Sequence, residues 1–178
     1  MIVWLASYPR SGNTMLRTIL KQAFDLQSYS KYNDTQDIGA NPEVAAAVGH
    51  VNYEGDWETH YKDATRSDDW VAVKTHNPPD DDQAAIYVVR DGRSVCVSYQ
   101  HYYESFGNQQ RSLPEIMLGV TPFGSWSDHL DQWQPLDRPN TLLLRYEDMV
   151  SQPAETVGKI SEFLRQPPAR AFENRFDQ

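Results

Sequence analysis

The chain begins with Met1-Ile-Val-Trp-Leu-Ala-Ser-Tyr-Pro-Arg-Ser-Gly-Asn-Thr14, and this stretch decides the fold. Its first six residues are almost entirely apolar, as in a strand buried within a parallel sheet. Turn-forming residues follow up to Thr14. Beyond them apolar side chains recur at helical spacing, on Met15, Leu16, Ile19, Leu20, Ala23 and Phe24. The sequence therefore predicts a strand, a polar loop and a helix in immediate succession.

Further apolar runs and periodic segments continue this alternation. They predict three more strands, at 70–73, 84–89 and 141–144, and helices at 41–48, 94–104, 113–118, 126–133 and 157–164. The rest of 25–69 is polar and irregular, so no other element is predicted there. Strands that alternate with helices indicate an α/β fold, a three-layer sandwich with a mainly parallel central sheet. A length of 178 residues suits one domain over 1–178, with Trp126 and Leu143 as core positions.

Composition and charge exclude several classes of protein. Asp and Glu number 25 against 16 Lys and Arg, and the resulting net charge of −9 argues against non-specific nucleic-acid binding. Cys96 is the only cysteine, so neither an intramolecular disulfide nor a cysteine-based zinc cluster can form. The apolar run at 1–6 is far shorter than a membrane span. We therefore expect a cytoplasmic monomer or weak homodimer that binds neither nucleic acid nor membrane.

Basic and titratable residues follow three of the four predicted strands. They occupy 9–14, 74–76 and 90–93. Because ligands of open parallel sheets bind at the carboxyl ends of the strands, these three clusters are expected to converge. An acidic protein that gathers cations at one place is expected to bind an anion there.

The first of these clusters has the features of a P-loop-like phosphate-binding loop. Gly12 allows close approach of the backbone, the following helix directs its N–H groups at the ligand, and Arg10 and Thr14 add donors. The Walker A pattern is absent. An ordinary strand-to-helix turn, capped by Asn13 or Thr14, explains the same residues equally well.

The second cluster supplies a candidate base. His76 can accept a proton near neutral pH, and Lys74 can stabilise charge on a transferring group. For a lone histidine, hydrogen bonding at a loop edge is the simpler interpretation. No pair of histidines has helical metal-ligand spacing, so no metal is predicted.

The third cluster begins with Arg90, and Ser98 follows eight residues later on the predicted helix. The two positions are about 12 Å apart along the helix axis, so spacing alone gives only weak support for a shared ligand.

Taken together, five segments resemble the 3′-phosphoadenosine 5′-phosphosulfate (PAPS)-dependent sulfotransferases, both the cytosolic type and the bacterial enzymes that sulfate natural products. The similar segments are 6–14 (T-Y-P-K-S-G-T-T-W in the family), 73–76 (K-T-H), 89–99 (the 3′-phosphate segment), 124–133 (G-S-W…H…W) and 144–153 (Y-E-D…P). They occur in the family's order. Their combination is far more specific than any one of them.

The resemblance implies a sulfotransferase-like domain that moves a sulfuryl group from PAPS to a hydroxyl of a small-molecule or natural-product acceptor without a metal. The other product is adenosine 3′,5′-bisphosphate (PAP). It implies His76 as general base, with Lys74 and Arg10 as catalytic cations. It also implies that PAPS is bound by Arg10, Ser11, Gly12, Asn13, Thr14, Met15, Arg90 and Ser98.

The chain departs from the family pattern in three ways. Met15 replaces a tryptophan that stacks on the adenine, and Arg10 replaces a lysine. The C-terminal R-K-G segment that covers the nucleotide in the family has no match, so a domain lacking that segment is expected. Aromatic side chains are predicted to line the acceptor pocket: Tyr53, Trp57, Tyr102 and Phe106. The alternative functions are a nucleotide-dependent phosphotransferase and a non-catalytic nucleotide-binding module.

Overall fold

A computed structural model describes residues 1–35, 38–106 and 110–173. In these residues the strands are β1 (Ile2–Ser7), β2 (Ser28–Ser30), β3 (Val71–Thr75), β4 (Ala84–Val89) and β5 (Thr141–Arg145). The helices are α1 (Asn13–Phe24), α2 (Pro42–Val48), α3 (Trp57–Arg66), α4 (Gly92–Phe106), α5 (Leu113–Met117), α6 (Trp126–Trp133), α7 (Tyr146–Ser151) and α8 (Pro153–Leu164). A short 3₁₀ helix spans Ile38–Ala40.

The strands form one five-stranded sheet in the order β2-β3-β1-β4-β5, and every described pair is parallel. β1 lies at the centre, with Leu5 opposite Lys74 on one side and Ile86 on the other. The carboxyl ends of β1, β3 and β4 therefore lie side by side. This arrangement confirms the predicted α/β class and brings the three polar clusters to one edge of the sheet.

Alternate residues of β1 face the two helical layers, as the pleat of a strand requires. Val3 and Leu5 pack in one core with apolar residues of α1 and α8. Ile2, Trp4 and Ala6 pack in a second core with residues of α3 and α6. Because both faces of the sheet are covered, β1 is buried along its whole length, which explains its continuous apolar sequence.

Besides the short 3₁₀ helix, one strand and one α-helix occur where the sequence was interpreted as irregular. β2 is too short and polar to show a hydrophobic pattern, and its pairing with β3 makes it a strand. α3 begins after Asp56, whose side chain accepts a hydrogen bond from the Thr59 N–H at 2.9 Å. Its apolar side chains lie at i, i+4 and i+7, on Trp57, Tyr61 and Ala64, which pack in the second core. The expectation of four strands, and of no element in 25–69 other than the helix at 41–48, was therefore wrong, whereas that helix is present as α2.

The two expected core positions are only partly buried. Trp126 packs against a small third cluster, and Leu143 packs at the margin of the second core. The deeply buried positions on the same elements are Trp133, with 1% of its surface exposed, and Leu144. One face of α6 therefore places its last aromatic residue in the core.

Candidate functional site

A cleft of about 670 Å³ opens at the carboxyl ends of the central strands. The loop before α1, the end of β3 and the residue after β4 all contribute to it, as expected for an open parallel sheet. The described lining residues are Pro9, Arg10, Gly12, Asn13, Thr14, Met15, Arg17, Tyr32, Asp34, Ile38, Lys74, His76, Arg90, Tyr99, Tyr102, Phe123 and Tyr146. Eight of the ten residues predicted for catalysis or nucleotide binding line this cleft, and the two that do not are Ser11 and Ser98.

The loop before α1 is held by the backbone and by Asn13. Arg10 and Gly12 adopt left-handed conformations, with φ of 68° and 107°. The Asn13 side chain donates to the Leu5 carbonyl at 2.8 Å, so it fixes the helix start on β1 rather than capping the helix. Thr14 is exposed toward the cleft, whereas Ser11 is buried and its hydroxyl has no hydrogen-bond partner among the described residues. This loop can present backbone N–H groups and a hydroxyl to an anion.

Gly12 is the position of closest approach in this loop. A Cβ there would lie 2.4 Å from Cδ2 of Tyr146, and its φ of 107° is unfavourable for any other residue. We expect Gly12→Ala to lower the free energy of unfolding by about 1–3 kcal/mol and to displace Tyr146 from the cleft wall. Urea denaturation of the purified variant measures this loss.

Gly158→Ala is the matched control for that substitution. Gly158 lies on the exposed side of α8, and a Cβ there would meet no atom within 4 Å. Removing a helical glycine is expected to raise stability by about 0.5–1 kcal/mol. Equal effects of the two substitutions would contradict the steric role of Gly12.

Arg10 contacts both Arg90 and Ser98, which are eight residues apart in the sequence. Its Nε donates to the Ser98 hydroxyl at 3.4 Å, and its backbone carbonyl accepts from the Arg90 guanidinium at 3.2 Å. Arg90 also stacks on Tyr146, with 4.4 Å between the guanidinium carbon and the ring centroid, and Arg10 lies over Tyr102 at 5.2 Å. Two guanidinium groups and a hydroxyl therefore converge at one end of the cleft.

His76 is held in one tautomer by the end of β1. Its Nδ1 donates to the Ser7 carbonyl at 2.7 Å, so the proton-accepting lone pair is on Nε2. Burial, helped by the positive charge of Lys74, lowers the pKa of His76 from 6.5 to about 3. The imidazole is therefore neutral at neutral pH and able to accept a proton at Nε2.

The backbone of His76 is fixed as firmly as its ring. Its N–H donates to the Tyr32 hydroxyl at 2.7 Å, and its carbonyl accepts from Nε2 of His129 at 3.1 Å. His129 is buried, its pKa is lowered to about 4 by that burial, and its Nδ1 accepts from the Tyr87 hydroxyl at 2.7 Å. Trp133, one turn along α6, donates to the Asn77 carbonyl at 2.9 Å. The candidate base consequently has a single position.

Two aromatic side chains that the sequence interpretation missed surround His76. The Tyr32 ring is stacked with the imidazole at 6.3 Å, and the Phe123 ring meets it edge-on at 5.5 Å. Tyr32 was overlooked because it lies in the polar stretch after β2. Phe123 lies in the loop before α6, where no spacing marks it.

The residues predicted for the acceptor pocket are not gathered in one place. Tyr102 lines the cleft. Tyr53 and Trp57 instead belong to an aromatic cluster that continues to Trp4, in which Tyr53 stacks on His60 and the Trp57 ring is tilted against its neighbours. A separate cavity of about 270 Å³ lies beside Trp57. The side chain of Phe106 lies outside the described part of the chain. Met15 lines the cleft, but most of its surface is buried in the core that α1 forms with β1 and α8.

Within 1–35, 38–106 and 110–173 no three His, Cys, Asp or Glu side chains are grouped so that they could hold a metal ion. None of the helices in those ranges has the length and apolar character needed to cross a bilayer.

The geometry defines an α/β protein whose cleft is lined by a glycine-containing loop, a basic strand end and two arginines, an arrangement able to hold an anionic ligand. The model of the sulfotransferase domain family matches residues 2–177. The chain belongs to that family.

Relatives of the chain extend beyond it. Sulfotransferase 1E1 of Mus musculus is 25% identical over 189 aligned residues, which cover 98% of this chain and 62% of the mouse protein. Sulfotransferase 1A1 of Mus musculus is 35% identical over 107 residues, covering 52% of this chain and 37% of that protein. The chain thus spans less than two thirds of the length of these relatives.

Solved structures share the fold at low identity. The structure of mouse sulfotransferase SULT7A1 complexed with PAP has a TM-score of 0.66 at 22% identity, covering 98% of this chain and 59% of the other. The sulfotransferase domain from the curacin biosynthetic pathway has a TM-score of 0.57 at 18% identity, covering 97% of this chain and 75% of that domain.

Proposed function

We propose that the protein transfers a sulfuryl group from PAPS to a hydroxyl of a small-molecule or natural-product acceptor. The observation that carries this proposal is the meeting, in one cleft, of the loop before α1 with Lys74 and His76 at the end of β3. Membership of the sulfotransferase domain family supports it, and so does the PAP complex of the structurally similar mouse protein. The chemistry of the lining, with four cations around a glycine loop, fits a ligand that carries phosphate and sulfate groups.

Three side chains of the cleft, His76, Lys74 and Arg10, have roles in this reaction. His76 takes the hydroxyl proton on Nε2 as the acceptor oxygen attacks the sulfur in line. Lys74 and Arg10 stabilise negative charge on the sulfuryl oxygens and on the departing phosphate. The fixed position of His76 supports a mechanism in which positioning and electrostatics do most of the work.

The low pKa of His76 in the ligand-free cleft is consistent with this role. Burial is the largest cause of the lowering, and the positive charge of Lys74 adds to it. A bound phosphosulfate offsets that charge, so it raises the pKa of His76 toward its ordinary value and strengthens the base when the donor is present.

The test is a transfer assay with PAPS and a panel of phenol, alcohol and sugar acceptors, together with calorimetric titration of PAP, ADP and ATP. Selective binding of PAP and a PAPS-dependent sulfated product are expected. Preference for ATP, with phosphorylated product, would support the phosphotransferase alternative instead. PAP binding without any product across the panel would favour the non-catalytic module.

We further propose that Arg90, with Ser98, binds the 3′-phosphate of the nucleotide. The approach of Arg90 to Arg10, which contacts Ser98, supports this assignment. Arg90→Ala is expected to weaken PAP binding by about 10- to 100-fold, the size of a charge-assisted hydrogen bond, and to leave AMP binding almost unchanged. Titration calorimetry with both nucleotides measures the difference.

Arg93→Ala is the control for that experiment, because its side chain is 93% exposed and pairs with Asp91 outside the cleft lining. Its affinity for PAP should match that of the unsubstituted protein. If Arg90→Ala weakened AMP and PAP equally, Arg90 would not be a 3′-phosphate ligand.

A further inference from the structure

Among the described residues that line the cleft, Asp34 alone carries a negative charge. The same lining holds four cations, Arg10, Arg17, Lys74 and Arg90. A carboxylate in a site built for an anion lowers the affinity for that anion, because like charges repel at short range. Its presence therefore needs a physical explanation.

Asp34 forms an ion pair with one of those cations, Lys74. Its Oδ2 accepts from Nζ of Lys74 at 2.7 Å, and only 10–11% of either side chain is exposed. Burial raises the pKa of Asp34, but the charge and hydrogen bond of Lys74, together with a hydrogen bond from Ser30 and the charge of Arg17, bring the pKa below its usual value. The carboxylate is therefore ionised at neutral pH and forms a partly desolvated pair with the ammonium.

Neighbouring contacts hold the Lys74 ammonium and the segment that carries Asp34 in place. The ammonium of Lys74 also lies over the Tyr32 ring, 5.6 Å from its centroid. Tyr32 in turn donates to Asn77 and accepts from the His76 N–H. Lys31, the residue before Tyr32, also pairs with Asp80 at 2.6 Å, but the Asp80 side chain is 61% exposed, so that pair contributes little to fixing the segment. Tyr32 thus attaches this segment to the chain after β3, and Asp34 attaches it to Lys74 within β3.

We propose that Asp34 is a positioning residue that orients the Lys74 ammonium for sulfuryl transfer and, by its charge, weakens binding of the anionic nucleotide. This inference rests on the proposed function. A flexible lysine side chain has four rotatable bonds, and a fixed carboxylate removes much of that freedom before the donor arrives. Turnover gains from the orientation, whereas nucleotide affinity is reduced by the added negative charge.

Asp34→Asn separates the two effects, because the amide keeps the shape and removes the charge. We expect PAP to bind about tenfold tighter, the size of one screened charge interaction at a few ångströms. We expect kcat with PAPS and 4-nitrophenol as the probe acceptor to fall by about tenfold or more, because Lys74 loses its fixed partner. Asp34→Glu, which restores the charge, should return PAP affinity to that of the unsubstituted protein and recover part of kcat.

Asp80→Asn is the matched control. It removes an identical charge from the partner of Lys31, but Asp80 does not line the cleft. Its PAP affinity should stay within about twofold of the unsubstituted protein, since solvent screens an exposed charge outside the site. A gain in affinity as large as that of Asp34→Asn would show a general effect of net charge and overturn the proposal.

A second pair of variants keeps the test decisive if Asp34→Asn does not fold. Lys74→Met and the double variant Lys74→Met with Asp34→Asn leave no ammonium to orient, and the double variant buries no unpaired charge. The double variant should bind PAP more tightly than Lys74→Met alone and should have the same kcat. A further fall in kcat would show that Asp34 acts independently of Lys74, which contradicts the proposal.

The remaining outcomes distinguish this inference from the function on which it rests. If the unsubstituted protein does not bind PAP, the proposed function fails. If it binds PAP and Asp34→Asn binds it equally or more weakly, only the role of Asp34 is overturned. Tighter binding with unchanged kcat likewise overturns the orienting role. The higher affinity would show a folded protein that has lost the charge of Asp34, and the unchanged kcat would show that Lys74 does not need this partner.

Discussion

Replacement of His76 by asparagine is expected to lower kcat for sulfuryl transfer by about 10²- to 10⁴-fold, the usual contribution of a general base. Asparagine is chosen because its amide nitrogen takes the place of Nδ1 and can still donate to the Ser7 carbonyl, a bond of 2.7 Å in the present structure. It has no atom in the place of Nε2. The variant therefore loses the proton acceptor at Nε2 and keeps the hydrogen bond to Ser7 that positions the side chain.

The measurement pairs single-turnover kinetics with calorimetric titration of PAP. Affinity for PAP should change by less than about threefold, because positioning and binding of the nucleotide rest mainly on other residues. His101→Asn, an exposed position on α4, is the matched control for both readouts. Full turnover in His76→Asn would remove His76 from the chemistry, and loss of PAP binding would make it a nucleotide ligand instead.

The same variant also has an expected signature in the pH dependence of stability. The pKa of His76 is about 3 when folded, below the ordinary 6.5, so between these values the unfolded chain binds a proton that the folded chain excludes. The free energy of unfolding must then decrease as the pH falls through this window, and it is fully retained above pH 6.5. Urea denaturation should show a shallower loss between pH 6.5 and 4.5 in His76→Asn than in the unsubstituted protein.

The strands and the loop before α1 were predictable from sequence because their signals are local. β1, β3, β4 and β5 are short apolar runs, and the apolar spacing of α1 is that of a single buried helical face. The convergence of three polar clusters also followed, because the carboxyl ends of parallel strands must share one edge of the sheet.

What the sequence did not show depends on contacts between distant segments. β2 is a strand because Ser28 and Ser30 pair with β3, a property that no pattern within three polar residues can reveal. Asp34 lies 40 positions from Lys74, and nothing in its neighbourhood marks it as the partner of that lysine. Arg10 similarly bridges Arg90 and Ser98, which helix geometry alone separated.

The signal for α3 was present and was overlooked. Asp56 is a typical N-cap residue, and Trp57, Tyr61 and Ala64 follow at the spacing of one helical face. The abundance of polar residues on the other face concealed this pattern. Trp57, which is predicted for the acceptor pocket, packs on Trp4 against the second core and also borders the smaller cavity.

Trp133→Ala is expected to lower the free energy of unfolding by about 3–5 kcal/mol, the usual cost of removing a large buried aromatic side chain. Only 1% of Trp133 is exposed, and its ring packs on Tyr87 at 5.6 Å within the second core. Leu136→Ala is the control, because Leu136 lies three residues later and is 83% exposed; it should change stability by less than about 0.5 kcal/mol. Similar unfolding midpoints for the two variants would contradict the burial of Trp133.

Trp133→Phe tests whether the same side chain also positions the site. Phenylalanine fills most of the space but cannot donate to the Asn77 carbonyl, which accepts from the indole N–H at 2.9 Å. We expect the free energy of unfolding to fall by about 1–3 kcal/mol, because the partly buried Asn77 carbonyl loses its donor, and we expect a lower kcat with little change in PAP affinity. That combination follows because Asn77 is the residue after His76, and α6 holds the carbonyls of both from neighbouring turns. An unchanged kcat in a variant of reduced stability would restrict Trp133 to the core and leave His129 as the contact from α6 that positions the base.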